Sequence, residues 1–414
     1  MTTSPQPASA NRCPVAHALP EVSERKSTQS HDALFPLVEV GRSDIGERWT
    51  LRSLAHIRSI LRDPEATRQA GFGAEVAAQS SGKMRPPILY LEGEAHKAQR
   101  TATARFFTPQ TVSRDYREMM ERLSDELVTE LRQRGHADLS KLGMRLAVQV
   151  AGRVIGLTNS SMTGMSRRLN TFFEDDPTAF SLRPDKLWRF LMTQSGMWRF
   201  FYQDVKPAIR ARRKEPREDL ISHLLEKGYT DFEILTECIT YAAAGMVTTR
   251  EFLSMATWHF LDNTPLRERF LIAGERERQA ILHEILRLEP IVGHLYRRTR
   301  KVLTLENDGE TLTIPAGTLL DLDLRAANAD ATAVGEAPLR LCPGRDLPKG
   351  VQGAVLSFGD GHHRCPGAYI AMQESDIFLT RLLKLPLVAE KAPEMTWNDL
   401  VAGYDLRSFI VRTV

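Results

Sequence analysis

Several things are scarce in this 414-residue chain, and each scarcity removes a class of function. The four cysteines, Cys13, Cys238, Cys342 and Cys365, are widely spread without paired spacing, so neither a disulfide framework nor a zinc site is implied, and a reducing cytoplasm is the expected compartment. Excess charge of one sign is missing: 55 basic against 52 acidic residues leave a net charge of +3, too balanced to suggest nucleic acid as a partner. No apolar run near the N-terminus reaches signal or anchor length, so no membrane anchor is expected. Residues 1–36, rich in Ser, Pro, Thr and Ala, offer little to bury and are predicted to form a flexible tail. What remains is ordinary for a folded protein, with 42% hydrophobic and 26% charged residues. The chain exceeds the roughly 250–300 residues at which single cores stop growing, which fits two domains or one large cofactor-centred fold.

The most informative stretch is Ser357-Phe358-Gly359-Asp360-Gly361-His362-His363-Arg364-Cys365-Pro366-Gly367. A lone cysteine sits between glycine-bearing turns, and Ile370, Ala371, Ile377, Phe378 and Leu382 follow at helical spacing, so Cys365 falls at a helix start. Free backbone N–H groups and the positive end of the helix dipole are expected to lower its pKa, and a thiolate is both nucleophile and metal ligand. A buried structural cysteine, or a nucleophilic cysteine beside a histidine, fits the residue types too.

The stretch resembles the heme-ligand loop of cytochrome P-450 enzymes, Phe-Gly-x-Gly-x-His-x-Cys-x-Gly, whose fixed positions are filled here by Phe358, Gly359, Gly361, His363, Cys365 and Gly367. The resemblance implies a mainly α fold with a minor β region, a single domain over 37–414, and a long central helix over heme b. It implies Cys365 as the proximal iron ligand. It also implies insertion of one oxygen atom from O₂ into a small hydrophobic organic substrate, with electrons from a ferredoxin-type donor and its reductase.

Further motifs follow in the order of that family. His96 and Arg100 are four apart, share a face on a helix, and resemble the family's His-x-x-x-Arg, which binds a heme propionate. From Asp231, after Thr230 as N-cap, a helical pattern runs to Leu261 and would span roughly 45 Å. Its middle, Ala242-Ala243-Ala244-Gly245-Met246-Val247-Thr248-Thr249, resembles the oxygen-binding motif Ala/Gly-Gly-x-Asp/Glu-Thr-Thr. Thr248 takes the place of the threonine that supports proton delivery, whereas the acidic place holds Val247. Valine cannot carry a proton, so delivery is expected to use water held by Thr248, with Glu251 one turn on as the acid, or the reaction departs from simple hydroxylation. Glu284 and Arg287, three apart, resemble the Glu-x-x-Arg pair that braces the loop beneath the heme. Arg297 stands where the family supplies a propionate-binding arginine, with Arg298 as the neighbouring candidate, and His363 completes the propionate set.

Around these motifs, strands are predicted at 37–40 and 48–52, a helix at 54–61, an irregular loop over 66–88, and helices through most of 110–228. The aromatic run from Phe172 to Tyr202, including Phe180, Trp188 and Phe190, reads as core with some substrate contact. Arg210 to Arg217 reads as a solvated loop, Cys13-Pro14 resembles a heme-regulatory dipeptide, Cys342 reads as an ordinary thiol, and Phe409, Val411 and Val414 predict a final hairpin. Two other activities fit the same cofactor: a heme-thiolate catalyst of oxidative coupling or peroxide-driven chemistry, and a non-catalytic heme-binding gas sensor.

Overall fold

The computed structural model describes residues 24–27, 38–43, 46–72, 74, 85–173, 195–307, 309–398 and 403–414. Cys13-Pro14, the middle of the 66–88 loop, and Phe180, Trp188 and Phe190 lie outside the described residues.

Helices carry most of the chain, and each buries the stripe that its sequence spacing sets. Helix α1 (Leu54–Arg62) buries Leu54, Ile57, Ile60 and Leu61. Helix α2 (Gly93–Thr103) carries His96 on its buried side. Helix α3 (Arg117–Arg134) buries Met120, Leu123, Leu127 and Leu131 and ends at Gly135, whose φ of 75° only glycine adopts cheaply. Helix α4 (Leu139–Ile155) begins on Asp138, whose carboxylate accepts the Ser140 N–H.

The predicted long helix is present as one run with a local change of pitch. Helix α5 (Asp231–Ala242) opens on a capping box between Thr230 and Glu233. A π-helical turn at Ala243–Val247 follows, and helix α6 (Thr248–Asp262) continues from it. Helix α7 (Glu275–Leu288) comes next, and helix α8 (Ala368–Leu382) follows the cysteine loop. The α-helices bury one extended apolar core from Phe106 to Val411. Each fully buried Leu or Phe in it contributes about 1.5–3 kcal/mol.

A second core lies under a five-stranded sheet. Strands β1 (Val38–Ser43) and β2 (Gly46–Leu51) form an antiparallel hairpin in which Ser43 pairs Gly46. The remaining members are β3 (Thr67–Gln69), within the stretch expected as an irregular loop, β5 (His294–Thr299) and β8 (Leu319–Asp323), in the order β1-β2-β8-β5-β3. This register sets Gln69 of β3 opposite Arg297 of β5. Strand β4 (His136–Asp138) belongs to a separate sheet, and β6 (Leu303–Asn307) pairs β7 (Glu310–Ile314).

At the C-terminus β9 (Leu387–Lys391), β10 (Glu394–Asn398), β11 (Gly403–Arg407) and β12 (Ile410–Thr413) do not close as the expected hairpin. Strand β11 pairs β10, while β12 pairs β9 and β4. Alternation along a strand specifies which residues face inward but not which neighbour takes its edge.

Three further expectations are corrected. Residues 24–27, inside the stretch read as a flexible tail, are anchored: Arg25 Nε donates to Leu288 O (2.7 Å) and Nη2 to Arg325 O (3.0 Å), and the Ser27 N–H donates to the buried Glu289 carboxylate (3.1 Å). Buried Glu289 needs donors, and this segment supplies them beside His259. Arg212, expected in a solvated loop, is 1% exposed and bonds Asp219, Asn159 and Thr158. Cys342 is disulfide-bonded rather than a free thiol.

Candidate active site

The cysteine loop is held from three sides. Gly359 and Gly361 have φ of 69° and 66°, and between them Asp360 accepts from Nε of Arg58 (2.9 Å) and of Arg62 (3.0 Å) on α1. A Cβ on Gly361 would lie 1.9 Å from Leu61 O, so only glycine lets the loop dock against the end of α1. Gly361→Ala is therefore expected to cost at least the ~1–2 kcal/mol of a left-handed non-glycine residue and to push the loop off α1. A lower heme-to-protein absorbance ratio and a lower unfolding temperature are the readouts.

Within the loop the Cys365 N–H donates to Phe358 O (2.8 Å), and half-buried Phe358 packs against the larger core. The backbone N–H groups of Gly367 and Ala368, where α8 begins, act on the sulfur in the direction that favours the thiolate. Burial nevertheless outweighs these donors and pushes the thiol up, opposite to the expected lowering. A bound metal ion would supply the missing stabilisation, because coordination and deprotonation are coupled. A Cβ on Gly367 would sit 4.0 Å from Sγ, an ordinary van der Waals contact, so this neighbour does not itself demand glycine.

The structure gathers four basic residues around this loop. His96 is 3% exposed, its ring lies 4.0 Å from that of His363, and burial pulls it down to about 4. Arg100 donates from Nη2 to Arg364 O (2.5 Å), joining α2 to the loop. Arg297 is 5% exposed, pulled down to about 10 by burial, and donates only to Tyr296 O (3.1 Å), with no carboxylate within ion-pair distance among the described residues. Arg298, the neighbouring candidate, points elsewhere and bonds Gly317 O (2.7 Å). A buried guanidinium without an anion is costly, and the carboxylates of an iron porphyrin fit the need.

The second candidate element is the π-turn. Along an otherwise buried helix, Ala244 is exposed and Gly245 and Thr248 are half-buried, whereas Met246, Val247 and Thr249 are buried. A π-turn inserts an extra residue into a helix and recurs at functional sites. Here it presents small residues and one hydroxyl, and Thr248 Oγ1 donates to Ala244 O (2.6 Å). This face and the lone guanidinium both fit a flat, carboxylate-bearing cofactor ligated by Cys365.

Glu284 and Arg287 form the expected pair with two short contacts, 2.7 and 2.8 Å, and both are buried. Arg287 also donates to Asn328 O (2.7 Å) and Pro338 O (2.9 Å), and Glu284 accepts the Cys342 N–H (2.8 Å). Asn328 passes the brace onward through Leu356 N (2.9 Å) and Ser357 Oγ (2.8 Å), immediately before the cysteine loop.

The motif reading missed three residues. Arg345 joins the brace, reaching Glu284 Oε1 at 3.3 Å. Glu92, at the start of α2, accepts from His363 Nε2 (3.2 Å). Glu374 on α8 is 3% exposed, accepts from Thr249 Oγ1 (3.2 Å), has Oε2 without a hydrogen-bond partner, and is pushed up to about 8 by burial. Glu251, the acid expected near Thr248, is not available. Its carboxylate is taken by Arg250 Nε (2.7 Å), Arg407 Nη1 (2.7 Å) and the Leu406 N–H (2.7 Å).

Fold and site together define a thiolate-ligated cofactor protein, and known proteins agree. The family model for cytochrome P450 matches residues 278–389. Cyclomarin C epoxidase of Salinispora arenicola is 27% identical over 352 residues, covering 80% of this chain and 81% of that protein. Erythromycin C-12 hydroxylase of Saccharopolyspora erythraea is 26% identical over 347 residues, covering 81% of each. The structure of the versatile cytochrome P450 enzyme CYP109B1 from Bacillus subtilis superposes with a TM-score of 0.72 at 21% identity, covering 90% of this chain and 95% of that one. These matches, over about four fifths of the chain, support a bacterial cytochrome P450, a heme-thiolate monooxygenase of small organic molecules. No helix among the described residues is long and apolar enough to cross a membrane.

Proposed function

We propose that the group bound here is heme b, with Cys365 as its iron ligand and His96, Arg100, Arg297 and His363 holding its carboxylates. The substrate is small and hydrophobic, the electrons come from a ferredoxin-type donor in the cytoplasm, and one oxygen atom enters the substrate. The observation that supports this best is the buried Arg297, an arginine with no carboxylate at ion-pair distance among the described residues, on the strand beside the cysteine loop. When bound, thiolate-ligated heme supplies O₂ activation, since the sulfur's electron donation favours O–O cleavage.

The protein's own part is to deliver protons and exclude water. Val247 is 7% exposed and apolar, so it seals the wall without relaying a proton. Glu374 serves as the acid instead. Its raised pKa keeps it protonated at neutral pH, and it accepts from the hydroxyl of Thr249, the sequence neighbour of Thr248, so water must complete the route to the Thr248 hydroxyl. A positioned acid is worth about 10²–10⁴-fold, and with Thr248 and water retained the loss in Glu374→Gln is expected near or below the lower end. The readout is the fraction of electrons lost to hydrogen peroxide, which rises in Glu374→Gln and falls in Val247→Asp. Unchanged coupling in both removes the relay. Steady substrate-dependent NADH consumption with a surrogate ferredoxin pair and an oxygenated product tests the activity as a whole, and uncoupled oxidation without product would favour the coupling or peroxide-driven alternatives.

Glu374 also leaves a mark on stability. Its folded pKa of about 8 stands above the ordinary 4.5, so across that interval the native state holds the extra proton. Stability from this group is therefore present at the acid end and lost as pH rises toward 8. Denaturant midpoints at pH 5 and pH 8 are expected to fall less between the two in Glu374→Gln than in the native protein.

A further inference from the structure

Glu92 lies in none of the family motifs, yet three parts of the fold meet at its carboxylate. It immediately precedes α2, its Oε1 accepts the Gln69 N–H of β3 (2.7 Å), and its Oε2 accepts from His363 Nε2 (3.2 Å) and lies 3.5 Å from His362 Nε2. Its charge also reaches Arg297, which the strand register places opposite Gln69. Among the described residues no other carboxylate forms an ion pair with either histidine. His96 stacks on His363 from the first turns of α2, and Arg100 follows one turn later. Of the four residues proposed to hold the cofactor's carboxylates, His363 bonds this anion and His96 and Arg297 feel its charge.

We propose that Glu92 is a positioning residue for the cofactor: it fixes the His362-His363 turn against the start of α2 and offsets the basic groups clustered there, so that the cradle is assembled before heme enters. The proposal rests on the heme-thiolate reading above. Its physical basis is the outer-shell effect, in which a carboxylate bonded to a ligand-holding histidine fixes the ring's orientation. Without Glu92 the His363 ring loses its acceptor, and Arg297 loses the carboxylate charge that acts on it. Its bonds join the start of α2 to β3 and to the cysteine loop across 23 and 271 residues of sequence.

Heme-loaded native protein is compared with Glu92→Gln, Glu92→Asp and the control Glu94→Gln, whose side chain is 91% exposed. Glu92→Gln is expected to transfer heme to excess apomyoglobin about 10–100-fold faster, the range seen when outer-shell partners are removed. Its ferric/ferrous midpoint potential is expected to rise, because loss of a nearby negative charge disfavours the ferric form. Glu94→Gln changes neither, and Glu92→Asp, which keeps the charge but shortens the reach to His363, releases heme at an intermediate rate. A purely structural cross-link would lower the unfolding temperature without moving the potential.

The proposal is overturned if folded Glu92→Gln matches the native protein in heme release and potential. It is also overturned if the purified protein keeps a stoichiometric divalent metal on Glu92, His362 and His363 after chelation, since their ligand atoms lie within 4.8 Å of one another. Should Glu92→Gln fail to fold, Glu92→Asp decides: unchanged heme release overturns the idea, faster release supports it. Absence of a thiolate-type reduced carbon monoxide band in the native protein would sink the heme reading itself, which keeps the two failures apart.

Discussion

Cys365→Ser is expected to fold, to bind heme weakly, and to show no thiolate-type Soret band in its reduced carbon monoxide spectrum, with substrate oxygenation at background. The substitution changes little in shape. Backbone contacts that do not involve the sulfur hold the loop: the residue 365 N–H to Phe358 O, the Asp360 pairing with Arg58 and Arg62, and the Gly361 contact with Leu61. What is lost is the soft anionic donor. A serine hydroxyl is far harder to deprotonate, and the two N–H groups from Gly367 and Ala368, which do not bring even the thiol down to its ordinary range, do not make it an alkoxide. Unfolding temperatures of the heme-free native and variant chains should agree closely. A variant with a normal thiolate band would remove Cys365 from the site.

Arg287→Ala is expected to have the opposite profile, an intact cysteine in a protein that scarcely holds its shape. Arg287 is fully buried and makes two contacts to Glu284 and three to main-chain carbonyls, at Asn328, Pro338 and Arg340. Removing one partner of a buried pair strands the other charge, at a cost of about 3–5 kcal/mol, and here three carbonyls are stranded with it. Arg345 keeps one contact on Glu284 and softens the loss. The measurement is the chemical-denaturation midpoint together with heme content on purification. Arg287→Lys should recover little, because an ammonium cannot reproduce the two-pronged contact. A loss under about 1 kcal/mol would mean that the 328–345 segment is held by other means.

These two residues show what could be read from the chain and what could not. The cysteine loop was legible because its chemistry is local: two turns, a thiol and a helix start fall within eleven residues, so the pattern needs no knowledge of the fold. Glu284-Arg287 was less so. Several Glu-x-x-Arg spacings occur in the chain, and only position after the long helix distinguishes this one.

Glu374 and Glu92 were not legible at all, since the bonds that give them meaning cross 125 and 271 residues. Glu251 shows the converse error. It was favoured for being one turn from Thr248, but Arg407 and the Leu406 N–H, arriving from the far end of the chain, take its carboxylate. Nearness in sequence predicts which face a side chain occupies, not which partner reaches it first.

The anchored residues 24–27 carry a consequence for synthesis. Arg25 and Ser27 bond to positions 288, 289 and 325, contacts that span 262 to 300 residues. Such closures come late, because the entropy of the intervening loop is lost before any contact repays it. A chain emerging from the ribosome therefore carries this segment without its native partners until residue 325 is free, and a segment made early is among the last to find its place.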